Sequence, residues 1–224
     1  MVASWMTSTK AFLFDFDGTL ARLNIDFQGL RLEILAMAQD FGLREHHLPD
    51  PPYLLELTAA LSVELAVREP GQAAVFRDRS LTLIEAREWE AASPENLFPY
   101  TPRVLAGLLQ DNYQIAVLTR NSGASVRRVF PEIDRYCHLF LPREAVPRPK
   151  PDPGHLREAL HHFQVPARKA VMVGDHTLDI LSGKKTGTRT IGVLTGRTGA
   201  AELEAAQADI VLSDVAELLG LVRK

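Results

Sequence analysis

From Thr101 onward, short apolar runs alternate with windows in which apolar residues return every three or four positions, and this alternation leaves few architectures open. The spacing predicts a helix near Pro102 to Gln110, a strand at Tyr113 to Thr119, a helix at Ala124 to Phe130, a strand at Cys137 to Leu141 and a helix at Pro153 to Phe163. The series continues with a strand at Ala170 to Gly174, a helix at Leu178 to Thr186, a strand at Thr190 to Leu194, a helix at Ala200 to Ala206, a strand at Ile210 to Leu212 and a final helix from Val215. Strands separated by helices pair in parallel, because a parallel pair needs a crossover, and the helices then cover both faces of the sheet. One further strand, "KAFLFDF" at Lys10 to Phe16, stands far upstream. Three helical windows lie between it and the rest, roughly Phe27 to Phe41, Tyr53 to Val67 and Gln72 to Ala91, separated by the breaker-rich "HHLPDPP" and "REPGQ". The expected organisation is an α/β domain, residues 1–21 and 98–224, carrying a helical insertion, residues 22–97.

Composition excludes several partners. A formal net charge of -3 over 224 residues offers no basic field for nucleic acid or for an anionic membrane surface. No segment approaches the roughly 18 uninterrupted apolar residues of a membrane span, and "MVASWMTSTK" lacks a long apolar stretch behind a basic start, so a cytoplasmic protein is expected. A single cysteine, Cys137, allows neither an intramolecular disulfide nor a cysteine-rich metal site.

In a parallel α/β sheet the ligand lies beyond the carboxyl ends of the strands, so the residues just after each strand are the informative ones. The first strand delivers Asp15 and Asp17 with the turn residues Gly18 and Thr19. Thr119 follows the second in "VLTRNSG", Lys150 precedes a helix in "RPKPDP", and Asp175 and Asp179 follow a later strand in "VMVGDHTLDI". Adjacent carboxylates at the end of a buried strand lose solvation and repel one another, which calls for a compensating charge. An all-oxygen set suits a hard divalent cation, and a lysine with a hydroxyl suits a phosphoryl group. Residues i and i+2 of an extended strand share a face, so Asp15 and Asp17 are expected to address one site. One carboxylate can attack phosphorus while the other protonates the leaving alkoxide.

The segments "DFDGTL", "LTRN", "RPKPDP" and "GDHTLD", in this order and at these strand ends, resemble the four motifs of the haloacid dehalogenase-like hydrolase superfamily, in its phosphoglycolate phosphatase-like branch. The resemblance spans Lys10 to about Leu194 and implies a Rossmann-like parallel sheet core with helices on both faces and an inserted α-helical cap. It implies Asp15 as nucleophile and metal ligand, and Asp17 as general acid and base with its backbone carbonyl on Mg2+. Thr119, Lys150 and Asn121 would bind the substrate phosphate, and Asp175 with Asp179 would complete the magnesium site. The implied activity is a magnesium-dependent phosphatase acting on a small phosphorylated metabolite, as monomer or homodimer. A phosphomutase or phosphotransferase and a non-catalytic binding protein are the alternatives. Phosphonatases of the superfamily use a cap lysine, and residues 11–149 contain none.

Other signals are weaker. "SGKKTG" lacks the leading glycine of a phosphate-binding loop, and "GVLTGRTG" is expected to flank the site rather than to hold a dinucleotide. The pairs His46–His47 and His161–His162 read as surface positions, while His176 beside Asp175 reads either as a loop residue or as a substrate contact. Arg22, Arg31, Arg68, Arg77 and Arg79 are candidate cations of the insertion. "ARLNIDFQGL" after the first motif departs from the small acidic pattern of better-known phosphoglycolate phosphatases, so phosphoglycolate, sugar phosphates and nucleoside monophosphates all stay open as substrates.

Overall fold

The computed structural model describes residues 5–22, 24–43, 49 and 51–223. Six strands form one sheet: β1 (Ala11–Phe14), β2 (Gln114–Leu118), β3 (Leu139–Leu141), β4 (Ala170–Gly174), β5 (Arg189–Val193) and β6 (Ile210–Leu212). Their order is β3-β2-β1-β4-β5-β6, and every neighbouring pair is parallel. The core strands read as unbroken apolar runs because both faces are covered; all four residues of β1 and all five of β4 are buried. On one face, Leu156, Ala159 and Leu160 of α6 (Pro153–Phe163) pack with Ala11, Leu13, Ala116, Leu118 and Met172. On the other, Phe12 and Phe14 stack at 6.0 Å, and Tyr113 meets Phe12 edge-on at 5.1 Å.

The remaining helices fall near their expected positions. They are α1 (Phe27–Asp40), α2 (Leu54–Arg68), α3 (Pro70–Ala91), α4 (Thr101–Gln110), α5 (Gly123–Val129), α7 (Thr177–Thr186), α8 (Ala200–Ala205) and α9 (Leu218–Val222). The sequence placed the end of β2 and the start of β3 too generously: β2 ends at Leu118 and β3 starts at Leu139, which leaves Thr119 and Cys137 outside the strands. The final helix opens as a 3-10 turn, Val215–Glu217, before α9.

By its contacts the chain divides into two compact units, Asn24–Ala91 and the remainder. The helical unit has its own core, with Leu30, Ile34, Leu57, Leu61, Leu65 and Phe76 buried and Phe41 edge-on to Phe76 at 5.5 Å. Arg22 and residues 92–97, read from sequence as part of the insertion, pair instead with the sheet unit. Ala21 bridges Leu97, Arg22 N donates to Asn96 O at 2.9 Å, and Phe98 N donates to Leu20 O at 3.1 Å. A two-sided backbone seam of this kind carries no side-chain periodicity, which is why the apolar pattern ran past it. The residues His46 and His47 lie outside the described residues. His161 and His162 are exposed near the end of α6.

The sheet core makes a direct stability prediction. Leu13→Ala removes a fully buried side chain shared by β1, β2, β4 and α6. Urea denaturation of the full chain is expected to show a loss of about 2–5 kcal/mol. A loss well under 1 kcal/mol would mean that this face of the sheet is not closed as described.

Candidate active site

The strand order runs outward in two directions from β1 and β4, and the crevice beyond the carboxyl ends at such a switch point is the usual ligand position in an open parallel sheet. Asp15 follows β1 and Asp175 follows β4, and the register Phe14↔Val173 brings the two ends level. Asp15 N donates to Val173 O at 2.8 Å, which fixes its backbone against the neighbouring strand. Asp179 arrives from the first turn of α7. His176 caps that helix: its Nδ1 accepts from Leu178 N at 3.2 Å, while Asp179 Oδ2 accepts from His176 N at 3.1 Å. This reciprocal cap orients Asp179 and gives His176 a structural task.

Lys150 enters from the loop before α6 and is 1% exposed. Its ammonium donates to Asp15 Oδ1 at 2.6 Å and to Asp179 Oδ1 at 2.7 Å. One ammonium against three buried carboxylates leaves the cluster short of positive charge. Burial, followed by the nearby charges of Asp15, Asp179 and Asp17, raises the Asp175 carboxyl to about 9. Burial also raises Asp15, to about 6, against the lowering effect of Lys150. Burial works against the charged form of Lys150 as well, but the two carboxylates outweigh it and its pKa is raised.

Asp15, Asp175 and Asp179 each present a carboxylate oxygen, and these oxygens lie within 4.8 Å of one another. A donor set of carboxylates alone, buried and short of counter-charge, fits a divalent hard cation. Close backbone approach completes the enclosure of Asp175. Gly18 has φ +82°, and a Cβ there would stand 2.4 Å from the Asp175 carboxyl. At Gly196 a Cβ would stand 1.7 Å from Asp175 Oδ2, so "GVLTGRTG" supplies a wall of this site. Thr195 Oγ1 donates to Gly18 O, joining the two glycine turns, and Thr19 Oγ1 donates to Asp175 Oδ1 at 3.3 Å.

Asp17 is placed differently from the strand expectation. β1 ends at Phe14, so Asp17 sits in a turn bridged to Ala21, half-buried, and its carboxylate is not part of the three-oxygen group. It still lies close enough to Asp175 to raise its pKa. Thr119, 1% exposed, follows β2, and its Oγ1 accepts from Asn121 N at 3.1 Å. Asn121 is buried as well, and its Nδ2 has no hydrogen-bond partner among the described residues. A buried amide donor without a partner calls for an acceptor from outside, and a phosphoryl oxygen is one. Of the arginines, Arg22 lies over the Phe98 ring at 5.5 Å in the sheet unit. Within the helical unit Arg31 donates to Pro51 O, Arg68 pairs with Glu64, Arg77 lies 3.8 Å from Asp78, and Arg79 lies over Phe41.

Sequence reading missed His155 and Arg120. His155 is fully buried in the first turn of α6, between Lys150 N, which donates to its Nδ1 at 3.1 Å, and Leu141 O, 3.1 Å from its Nε2. Arg120 donates to Lys150 O. The available signal was position: His155 falls on the α6 face that also carries Leu156, Ala159 and Leu160, where a polar residue stands out.

Comparison with known proteins finds phosphatases and related hydrolases. A model of the HAD-hydrolase-like family matches residues 147–218. Pyrophosphatase PpaX of Bacillus velezensis is 27% identical over 213 residues, covering 93% of this chain and 94% of its own length. A phosphoglycolate phosphatase of Vibrio parahaemolyticus is 30% identical over 129 residues, 57% of each chain. Among solved structures, a haloacid dehalogenase-like family protein from Streptococcus pneumoniae shares the fold with a TM-score of 0.61 at 20% identity, covering 96% of this chain and 98% of its own. By these matches the chain is similar to the haloacid dehalogenase-like hydrolases. Over about half its length it is similar to a phosphatase of the phosphoglycolate phosphatase kind.

The charge deficit predicts a pH signature. Because the folded Asp175 carboxyl holds its proton up to about 9, the metal-free fold binds more protons than the unfolded chain, and its stability falls as pH rises through that range. His155, held neutral by burial and by Lys150 with its pKa lowered to about 3, acts only on the acid side. Between about pH 7 and about pH 8.5, thermal unfolding in chelator is therefore expected to move to lower temperature, while the gap to the magnesium-containing sample widens. A gap that stays constant or narrows would remove the carboxylate cluster as the cation site.

Proposed function

We propose that this chain is a magnesium-dependent phosphatase that hydrolyses a small phosphate monoester through an aspartyl phosphate on Asp15. The observation that carries the reading is the buried set at the β1–β4 switch point: three carboxylates, two of them sharing one ammonium, beside an unpartnered Asn121 amide. Similarity to a phosphoglycolate phosphatase and a pyrophosphatase supports phosphoryl chemistry.

Asp15, Asp175 and Asp179, with the Asp17 backbone carbonyl, would hold the ion. A bound magnesium ion supplies positive charge that keeps these carboxylates ionised and draws charge from phosphoryl oxygens. Lys150, Thr119 and Asn121 orient the phosphoryl group by donating to its oxygens. Asp15 attacks phosphorus, the ester P–O bond breaks, and Asp17 gives its proton to the departing alkoxide. Asp17 then takes a proton from water as that water attacks phosphorus, and the Asp15–phosphorus bond breaks to release inorganic phosphate. Burial of Asp15, Thr119 and Lys150 suits small esters better than phosphoproteins.

The test is inorganic phosphate release from a panel of phosphoglycolate, sugar phosphates, nucleoside monophosphates, an activated aryl phosphate and pyrophosphate, with magnesium and with chelator. Metal-dependent release that falls by a factor of about 10⁴ or more in Asp15→Asn is expected. Asp17→Asn is expected to spare the aryl phosphate relative to alkyl esters, because a good leaving group needs less help from an acid. Preference for pyrophosphate over every ester would change the substrate class, and no release from any member would remove the phosphatase reading.

A further inference from the structure

We propose that His155 is a positioning residue for Lys150: its imidazole, engaged at both nitrogens, fixes the point from which the lysine side chain departs and so where its ammonium stands. The proposal rests on the reading of Lys150 as the phosphoryl-binding lysine.

The hydrogen bonds determine the tautomer. Lys150 N donates to Nδ1 at 3.1 Å, so Nδ1 carries the lone pair and the proton is on Nε2, which donates to Leu141 O at 3.1 Å. Leu141 O also accepts from Thr119 N at 3.1 Å. One carbonyl at the end of β3 is thus the reference point for Thr119 directly and for Lys150 through His155. On its other side the Lys150 peptide is held by Arg120, whose own carbonyl accepts from Arg143 Nη1 at 3.0 Å. Arg143 N in turn donates to Asn121 O at 3.1 Å. "TRN" and Lys150, thirty residues apart, form one hydrogen-bonded frame.

Helix formation does not require His155. α6 already has its cap, since Asp152 accepts from Gly154 N at 2.7 Å, and the neighbouring buried positions Leu156, Ala159 and Leu160 are apolar. A lysine side chain has four rotatable carbons, and its ammonium stands 2.6 Å from one carboxylate and 2.7 Å from another. Holding so flexible a group to that geometry requires a fixed backbone, because misplacement of about 1 Å at a reacting group lowers rate severely.

The experiment compares full-length wild type with His155→Leu, which keeps bulk without polar atoms, and His155→Asn, which keeps an acceptor near the Nδ1 position. The readouts are kcat and KM for p-nitrophenyl phosphate with magnesium, the inhibition constant of inorganic phosphate, and the melting temperature. His155→Leu is expected to lower kcat/KM by roughly 10- to 100-fold and to weaken phosphate inhibition, with His155→Asn recovering to within about threefold of wild type. Wild-type kinetics in folded His155→Leu, whatever its melting temperature, would make His155 a core residue only. An equal loss in both variants would overturn the acceptor role. Should His155→Leu not fold, His155→Gln replaces it: its amide reaches toward Leu141 O but leaves Lys150 N without an acceptor, so kinetics identical to those of His155→Asn overturn the proposal. Wild type inactive on every ester defeats the phosphatase reading itself, whereas an active wild type with unaltered His155 variants defeats only the positioning role.

Discussion

One buried ammonium, shared between Asp15 and Asp179, is the interaction around which the carboxyl edge of the sheet is arranged. Removing two carboxylates and a lysine from water is unfavourable, and their mutual attraction offsets this only when geometry is close and the other lone pairs and protons are used. Asp179 Oδ2 is engaged by the backbone of His176, and the Lys150 peptide is held at both its N–H and its carbonyl. Asp175 has no such cation, and burial, with the neighbouring carboxylates, pushes its carboxyl far above its ordinary range. The site therefore has fewer positive charges than carboxylates, which is the electrostatic condition for taking up a cation.

The fold serves this arrangement by bringing distant chain segments to one edge. Asp15, Thr119 and Asp175 follow strands β1, β2 and β4, which are immediate neighbours, while Lys150 and Asp179 arrive at the starts of helices. Short strands buried on both faces act as rigid rods, and the loops that leave them differ in how they are restrained. Gly18 and Gly196 press backbone against Asp175, where any side chain would collide. The His176 cap makes the start of α7 and the orientation of Asp179 a single structural fact.

The helical unit follows a different logic. It encloses an apolar core of its own, with Leu57, Leu61 and Leu65 of α2 buried at helical spacing and Phe41 against Phe76, and its arginines engage partners within the unit. Helical periodicity made these elements easy to recognise. Nothing in that periodicity indicates which exposed side chains meet a substrate, so the class of ester rests on assay.

Local pattern was enough to reveal the alternating strands and helices, because strand and helix burial impose periods on side chains that can be read without neighbours. It also exposed Asp15 and Asp175, charged residues directly after apolar strands, and Lys150 and Asp179 at the approach to or start of a helix. Element ends were less legible: Thr119 reads as a strand residue but follows β2, and Asp17, expected to share a face with Asp15, sits in a turn beyond β1. The seam joining 20–22 to 96–98 is likewise made of backbone hydrogen bonds that leave no mark in side-chain pattern. His155 was silent because its role depends on Leu141 and Lys150 lying on either side of it, a relation of three positions spread over a loop and two elements. Sequence alone determined the alternation and the inventory of charges, which are properties of neighbouring residues. Only tertiary structure decided which carboxylates share one ammonium, which carboxyl is left without it, and which imidazole stands against the lysine, because those depend on distances between segments far apart in the chain.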